Sequence, residues 1–437
     1  MLGQYRTSIS KSNLDQIRNR AMTPSEMIDF LEEGALYRSF TDVLRSVYPG
    51  EDLAERLRTQ LCSFSAEPPD KKEMDALRKN ISNWLRGNVV PQNREQIFKI
   101  CFALGLTEAQ ASWVLASTAE TGIHYRSPKE LVYAFALRTA RSYPEAVALD
   151  REMAEIYGPI VEAAEAERIA RWKKKEKIHH ETRAEAHRIQ QQREKRGLEA
   201  EPYLGVTELD DPPSFYTQRV AHQFEKVTTV EQLRSFFLQH SADLGVIHES
   251  AYEKFWRLLL VLQEPDDSIV YPSQEDAFYS LDKIAQTYFR MHVPVDKKTA
   301  GYDYLQKAVK KNWPSTSELQ KMKARKIDVS RKALLLLFLI TEDFLFSDDL
   351  QYSDQSEEDA AWFLPQEDES PRDQLEIVLS KINLFLVTYG MNQLDPGSPF
   401  DCLVLYALAA TYEGEFLSDK FSCALRALFA EETADPQ

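Results

Sequence analysis

The chain has 437 residues, 43% of them hydrophobic and 28% charged, with only 14 glycines. That length implies more than one domain, and the composition favours globular helix over the glycine-rich turns of sandwiches and barrels. A formal net charge of −16 excludes a protein that coats nucleic acid indiscriminately, because neutralising phosphate requires clustered Lys and Arg.

The N-terminal MLGQYRTSISKSNLDQIRNR places charges where a secretory signal has its apolar core. No apolar run approaches the roughly eighteen residues of a bilayer span, and the strongest, ALLLLFLI at Ala333 to Ile340, falls far short. A cytoplasmic protein without a membrane partner is the expectation. Cys62, Cys101, Cys402 and Cys423 are isolated, with neither paired metal-ligand spacing nor a disulfide framework, and are expected to be structural thiols.

Residues 22–143 are predicted to form a compact group of helices. TPSEMIDFLEE opens with a capping pattern in which Thr23 accepts from the first turn, Pro24 takes the first helical position and Glu26 reaches back. Helical periods follow at YRSFTDVLRSVY, EDLAERLRTQL, MDALRKNISNWLRG, NREQIFKICFALG, TEAQASWVLAST and SPKELVYAFALRTA, with no strand signal. Residues 144–200 continue as one long charged helix with an interruption expected at Gly158-Pro159 and an end at Gly197. Within it, Arg168 to Arg196 carries eleven Lys/Arg against four Asp/Glu, and Lys173, Lys174, Lys175 and Lys177 form an accessory basic surface. A charge run of this kind is usually a solvated helix face.

Residues 201–214 read as a linker, and 215–430 as a larger α-helical C-terminal domain with an acidic loop near 347–372. The acidic pole, Glu342 to Glu376, has thirteen acids and one Arg. An internal echo connects the halves: SPKELVYAFAL at Ser127 aligns with SPFDCLVLYAL at Ser398, and NREQIFKICFAL at Asn93 with SRKALLLLFLI at Ser330 at an offset shorter by thirty-four residues. A duplication with an insertion accounts for this, and so does the general suitability of Ser-Pro-x-acid for starting helices.

The functional lead is NISNWLRGNVVPQNREQIFKICFALGL. Ile81, Trp84 and Leu85 fall at helical spacing on one buried face, while Lys79, Asn80, Ser82, Asn83 and Arg86 face outward. Gly87 provides a left-handed exit, Pro91 closes the loop and Asn93 caps the next helix. A helix with small polar and basic outward residues suits the major groove, where Asn and Arg read base edges and Ser meets phosphate.

These residues resemble the recognition helix and following helix of the Xre/lambda-repressor-like helix-turn-helix family, whose hallmark Ile-Ser-x-Trp-x-x-Gly-x-x-x-Pro becomes Ile81, Ser82, Trp84, Gly87 and Pro91. The wider run through GIHYRSPKELVYAFALR is similar to uncharacterised Clostridia-type bacterial helix-turn-helix regulators with a large α-helical C-terminal region. The resemblance implies double-stranded DNA as partner, Lys79, Asn80, Ser82 and Asn83 as base-facing residues, Arg86 near the backbone, and pairing into a homodimer to match two half-sites. One departure stands out: the family carries Leu-Ala-x-x-Leu about a dozen residues before the recognition Ile, whereas LAERL at Leu53 lies twenty-eight residues before Ile81.

Catalytic signals are sparse. His179, His180 and His187 share a helix with Glu181 and Glu185, but the spacing does not place two imidazoles one turn apart as a zinc helix requires. No phosphate-binding glycine loop or nucleophile elbow is visible, so no enzyme, metal or cofactor is expected. The sequence thus leads to an all-α, multidomain DNA-binding regulator whose C-terminal domain senses a signal or docks a protein. The alternative is an adaptor in which the helix-turn-helix fold is a protein-binding scaffold.

Overall fold

The computed structural model describes residues 8–19, 22–65, 70–86, 90–91, 93–118, 121–197, 216–245, 247–263, 279–294, 302, 304–341, 371–409 and 417–429. All regular structure among them is helical, so the fold is all-α as the sequence predicts. The helices are α1 (Ser8–Asn19), α2 (Pro24–Asp29, extended by a π turn Phe30–Gly34), α3 (Phe40–Val47), α4 (Leu53–Ser63), α5 (Lys71–Leu85), α6 (Arg94–Leu104), α7 (Glu108–Thr118), α8 (Pro128–Arg138) and α9 (Tyr143–Lys195). They continue as α10 (Tyr216–Phe224), α11 (Val230–His240), α12 (Glu249–Gln263), α13 (Leu281–Ile284), α14 (Tyr304–Asn312), α15 (Thr316–Lys323), α16 (Arg331–Thr341), α17 (Pro371–Thr388), α18 (Pro399–Ala409) and α19 (Leu417–Leu428).

The chain divides into two compact units: a first of Arg38–Ile178 with Asp211–His248, and a second of Met1–Tyr37, His179–Asp210 and Glu249–Gln437. This division differs from the segments 22–143 and 215–430 drawn from the sequence, and burial is the cause. Phe30 stacks on Tyr406 with ring centroids 4.8 Å apart, and the Asn13 amide donates to the Leu36 and Pro396 carbonyls, which fixes the N-terminal helices in the second unit. In the first unit, Phe224, Phe236 and Phe237 of α10 and α11 join the core built by α6 to α9. The expected linker, 201–214, and residues 347–370 of the expected acidic loop lie outside the described residues; 371–372 open α17.

Helix α9 runs unbroken for 53 residues through Gly158-Pro159, against the expected interruption. A proline in a helix forfeits one backbone bond and crowds the preceding turn, and here the rest of a long helix holds the direction. Its end is where the sequence places it: Gly197 takes the left-handed conformation at φ 69°.

Within the first unit, α4 packs on α5 and α6, α3 on α5 and α7, and α7 on α6 and α8. A clamp fixes the loop between α7 and α8. Arg94, the first residue of α6, donates from Nε and Nη2 to the two Glu130 oxygens at 2.6 Å each, and also donates to the carbonyls of Thr121 (3.0 Å) and Gly122 (2.6 Å). The His124 amide donates to the same Glu130 carboxylate at 2.8 Å. Glu130 is the third residue of the Ser-Pro helix, so its charge also suits the helix dipole.

Within the second unit, α16 packs on α12, and α18 on α14, α17 and α19. A clamp of the same design recurs. Arg331, the first residue of α16, donates from Nη1 and Nη2 to the two Asp401 oxygens at 2.8 and 2.9 Å, from Nε to the Asn392 carbonyl (2.7 Å) and from Nη2 to the Gln393 carbonyl (3.2 Å). The Asp395 amide donates to Asp401 at 2.8 Å.

Candidate nucleic-acid interface

Helix α5 begins at a capping box: the Glu73 amide donates to Asp70 at 2.7 Å, and the Asp70 amide to Glu73 at 3.0 Å. It is longer than the predicted MDALRKNISNWLRG segment because this cap lies three residues before Glu73. Ile81 and Trp84 are buried, one helical turn apart, in a core with Phe40, Leu44, Leu53 and Leu57. The Thr41 hydroxyl donates to the Trp84 carbonyl at 3.1 Å, which ties α3 to the last turn of α5. LAERL, distant in sequence from Ile81, forms the start of α4 and buries Leu53 and Leu57, so it is packed beside α5 despite the long connection.

The opposite face of α5 is open. Lys79, Asn80 and Arg86 are exposed, and Ser82 and Asn83 are half-exposed. Four of the five predicted contact residues therefore lie on α5 outside its buried Ile81/Trp84 stripe, and Arg86 caps its C-terminal end. Pro91 is buried, and the Asn93 side chain caps α6 by accepting from the Gln96 amide at 2.9 Å. Gly87, the expected left-handed exit, lies outside the described residues. On α9, Lys173, Lys174 and Lys177 are exposed, whereas Lys175 sits over the Trp172 ring at 4.8 Å. These lysines lie some ninety residues beyond α5 in the chain, on a helix of their own.

His179 is buried with its ring 5.6 Å from that of Trp256, while His180 is exposed. A different pair, His124 and His248, stacks with ring centroids 4.0 Å apart in the first unit. Burial, then the neighbouring His248, Arg94 and Arg126, hold His124 well below the ordinary imidazole range, so it stays neutral. The sequence gives no signal for this pair, because 124 residues separate its members.

A second unforeseen cluster supports α6. The Glu95 carboxylate accepts from the hydroxyls of Tyr133 (2.8 Å) and Tyr143 (2.5 Å) and from the Lys129 ammonium (2.8 Å). Burial raises the Glu95 carboxyl, but these donors outweigh it and hold the group below its ordinary value. It joins α6, α8 and α9. No protein-family model, curated protein or solved structure matches the chain.

Proposed function

We propose that the chain is a DNA-binding regulator whose first unit contacts duplex DNA through α5, with the second unit sensing a signal or docking a protein. The observation that supports this most is the two-sided build of α5: Ile81 and Trp84 anchor it rigidly, while Lys79, Asn80, Ser82, Asn83 and Arg86 remain accessible along the other side. A helix fits the major groove, where Asn reads adenine, Lys and Arg read guanine or phosphate, and Ser meets phosphate. Exposed Lys173, Lys174 and Lys177 would add sequence-independent phosphate affinity.

The test is selection of native genomic fragments by the purified full-length chain at near-physiological salt, beside a Lys79→Ala/Asn83→Ala variant. Each good bidentate base contact contributes about 1–3 kcal/mol of discrimination, so the double variant is expected to lose tenfold or more in preference for the enriched site. An equal preference in wild type and variant refutes the role of α5. The adaptor reading draws on the net charge of −16. Enrichment of no fragment by the wild type, together with stable co-purification of a protein, would establish it instead.

A further inference from the structure

The two Arg–carboxylate clamps agree residue by residue. The carbonyls gripped in the first unit belong to Thr121 and Gly122, and those in the second to Asn392 and Gln393. The amides that brace the carboxylates are those of His124 and Asp395, and the carboxylates are Glu130 and Asp401. Each member of these pairs is separated from its counterpart by the same 271 positions. The Ser-Pro helix starts, Ser127-Pro128 and Ser398-Pro399, keep that spacing. Generic preference for Ser-Pro-x-acid explains a helix start, but not an Arg at the first position of a distant helix holding the same two carbonyls.

The surrounding helices correspond in part. Helix α6 packs on α4 and α7 in the first unit, and α16 packs on α12 and α17, and also on α19, in the second, where α15 packs on α13. The helix before α6 is α5, and the helix before α16 is α15. Each has a capping box at its start and buries two residues one turn apart, Ile81 with Trp84 and Leu319 with Met322. Aligning those buried pairs sets Asn83 against Lys321 and Ser82 against Gln320.

Helix α15 also lies towards the end of a basic stretch. From Tyr304 to Lys326 there are seven Lys/Arg and one Glu, in a chain whose net charge is −16. Lys321 and Lys326 are exposed and Lys323 is half-buried. The helix ends in a paired-bond turn, with the Arg325 amide donating to Met322 and the Lys326 amide to Lys321, both at 2.9 Å. Arg325 holds the left-handed conformation at φ 55°, which costs a non-glycine residue roughly 1 kcal/mol. Its guanidinium, almost fully buried, grips both Glu249 oxygens and covers the Tyr252 ring, and the Tyr252 hydroxyl donates to the Lys323 carbonyl at 2.8 Å. The turn that carries Lys326 is thus locked to α12.

We infer that the second unit contains a second copy of the clamp-built helix module, and that Lys321, Lys323 and Lys326, on and just after its counterpart of α5, contact the phosphates of duplex DNA. Phosphate is the occupant the charge favours, because a dense local positive field attracts polyanions and duplex DNA presents closely spaced phosphates along its whole length. The inference rests on the DNA-binding reading of the first unit. The Gln320 amide donates to Asp282 at 3.3 Å and Glu318 completes the cap, so this copy is assigned phosphate contact and not base readout.

The test measures binding of the full-length chain, by fluorescence anisotropy across a salt series, to a labelled duplex enriched by the wild type and to one of scrambled sequence. Each phosphate contact contributes about 0.9 to the slope of log affinity against log salt. Lys321→Ala/Lys323→Ala/Lys326→Ala is therefore expected to reduce the slope by about 2 to 3 on both duplexes while sequence preference persists. Single Lys321→Ala and Lys326→Ala changes, at exposed positions, are each expected to remove about 1. An undiminished slope in these variants, with preference still lost in Lys79→Ala/Asn83→Ala, overturns the second contact and leaves the first standing. Failure of the wild type to bind either duplex overturns both.

Discussion

Replacing Arg331 by Met tests how much of the second unit's stability is held in one side chain. The guanidinium and the Asp401 carboxylate are 4% and 5% exposed, so removing the cation strands a buried anion together with the carbonyls of Asn392 and Gln393. Breaking a buried pair costs about 3–5 kcal/mol, because it leaves an uncompensated buried charge. A loss of about 4 kcal/mol is expected. Arg94→Met removes the matching clamp, but there the side chains are 29% and 13% exposed, water can replace the lost donors, and about 2 kcal/mol is expected. Native-state hydrogen exchange on the full chain reads the two separately, from amides of α16 and α18 for Arg331 and of α6 and α8 for Arg94. Adding Asp401→Leu to Arg331→Met is not expected to restore stability, because the hydrogen bonds that Arg331 makes to the two carbonyls are lost in both variants, and the bond from the Asp395 amide to Asp401 is lost as well in the double variant. A loss at Arg331 below about 1 kcal/mol, or no larger than at Arg94, would refute the reasoning from burial.

Glu95 makes the first unit sensitive to acid. Its carboxyl is held below the ordinary value of 4.5, so its contribution is fully present above about that pH and is lost as pH falls through the lower folded value. Tyr143→Phe removes one donor to Glu95 and is expected to move the onset of acid unfolding to higher pH, measured by circular dichroism of wild type and variant across pH 3 to 6. An unshifted onset would mean that Glu95 does not control it. In α9, Pro159 removes one backbone donor from the helix interior and crowds the preceding turn, so Pro159→Ala is expected to stabilise the helix by about 1–3 kcal/mol, seen as slower exchange of the neighbouring amides.

Helix identity was legible wherever short-range chemistry decides it. The Thr23/Glu26 box, the Asn93 cap and the Gly197 stop are each written within four residues, and each forms as the sequence predicts. The outward set on α5 follows from 3.6-residue periodicity, which also locates Ile81 and Trp84 inside. Unit boundaries escaped because they depend on contacts hundreds of residues apart, such as Asn13 with Pro396. The same limit hid the His124/His248 stack. The clamps were half visible: the echoing Ser-Pro-x-acid starts could be read, but not the partnership of Glu130 with Arg94, which only packing brings within 2.6 Å.

The thiols of α6 and α18 have a practical consequence. Cys101 and Cys402 are both fully buried, one in each unit, and burial drives both far from ionisation. Since the thiolate is the reactive form, an alkylating reagent reaches either sulfur only while its surrounding helices are open. Each unit therefore contains a chemical clock whose labelling rate counts its own excursions from the closed state. With half-buried Cys62 and Cys423 replaced by Ala, mass spectrometry of the labelled chain would time the opening of the two units independently in a single tube, with DNA present or absent.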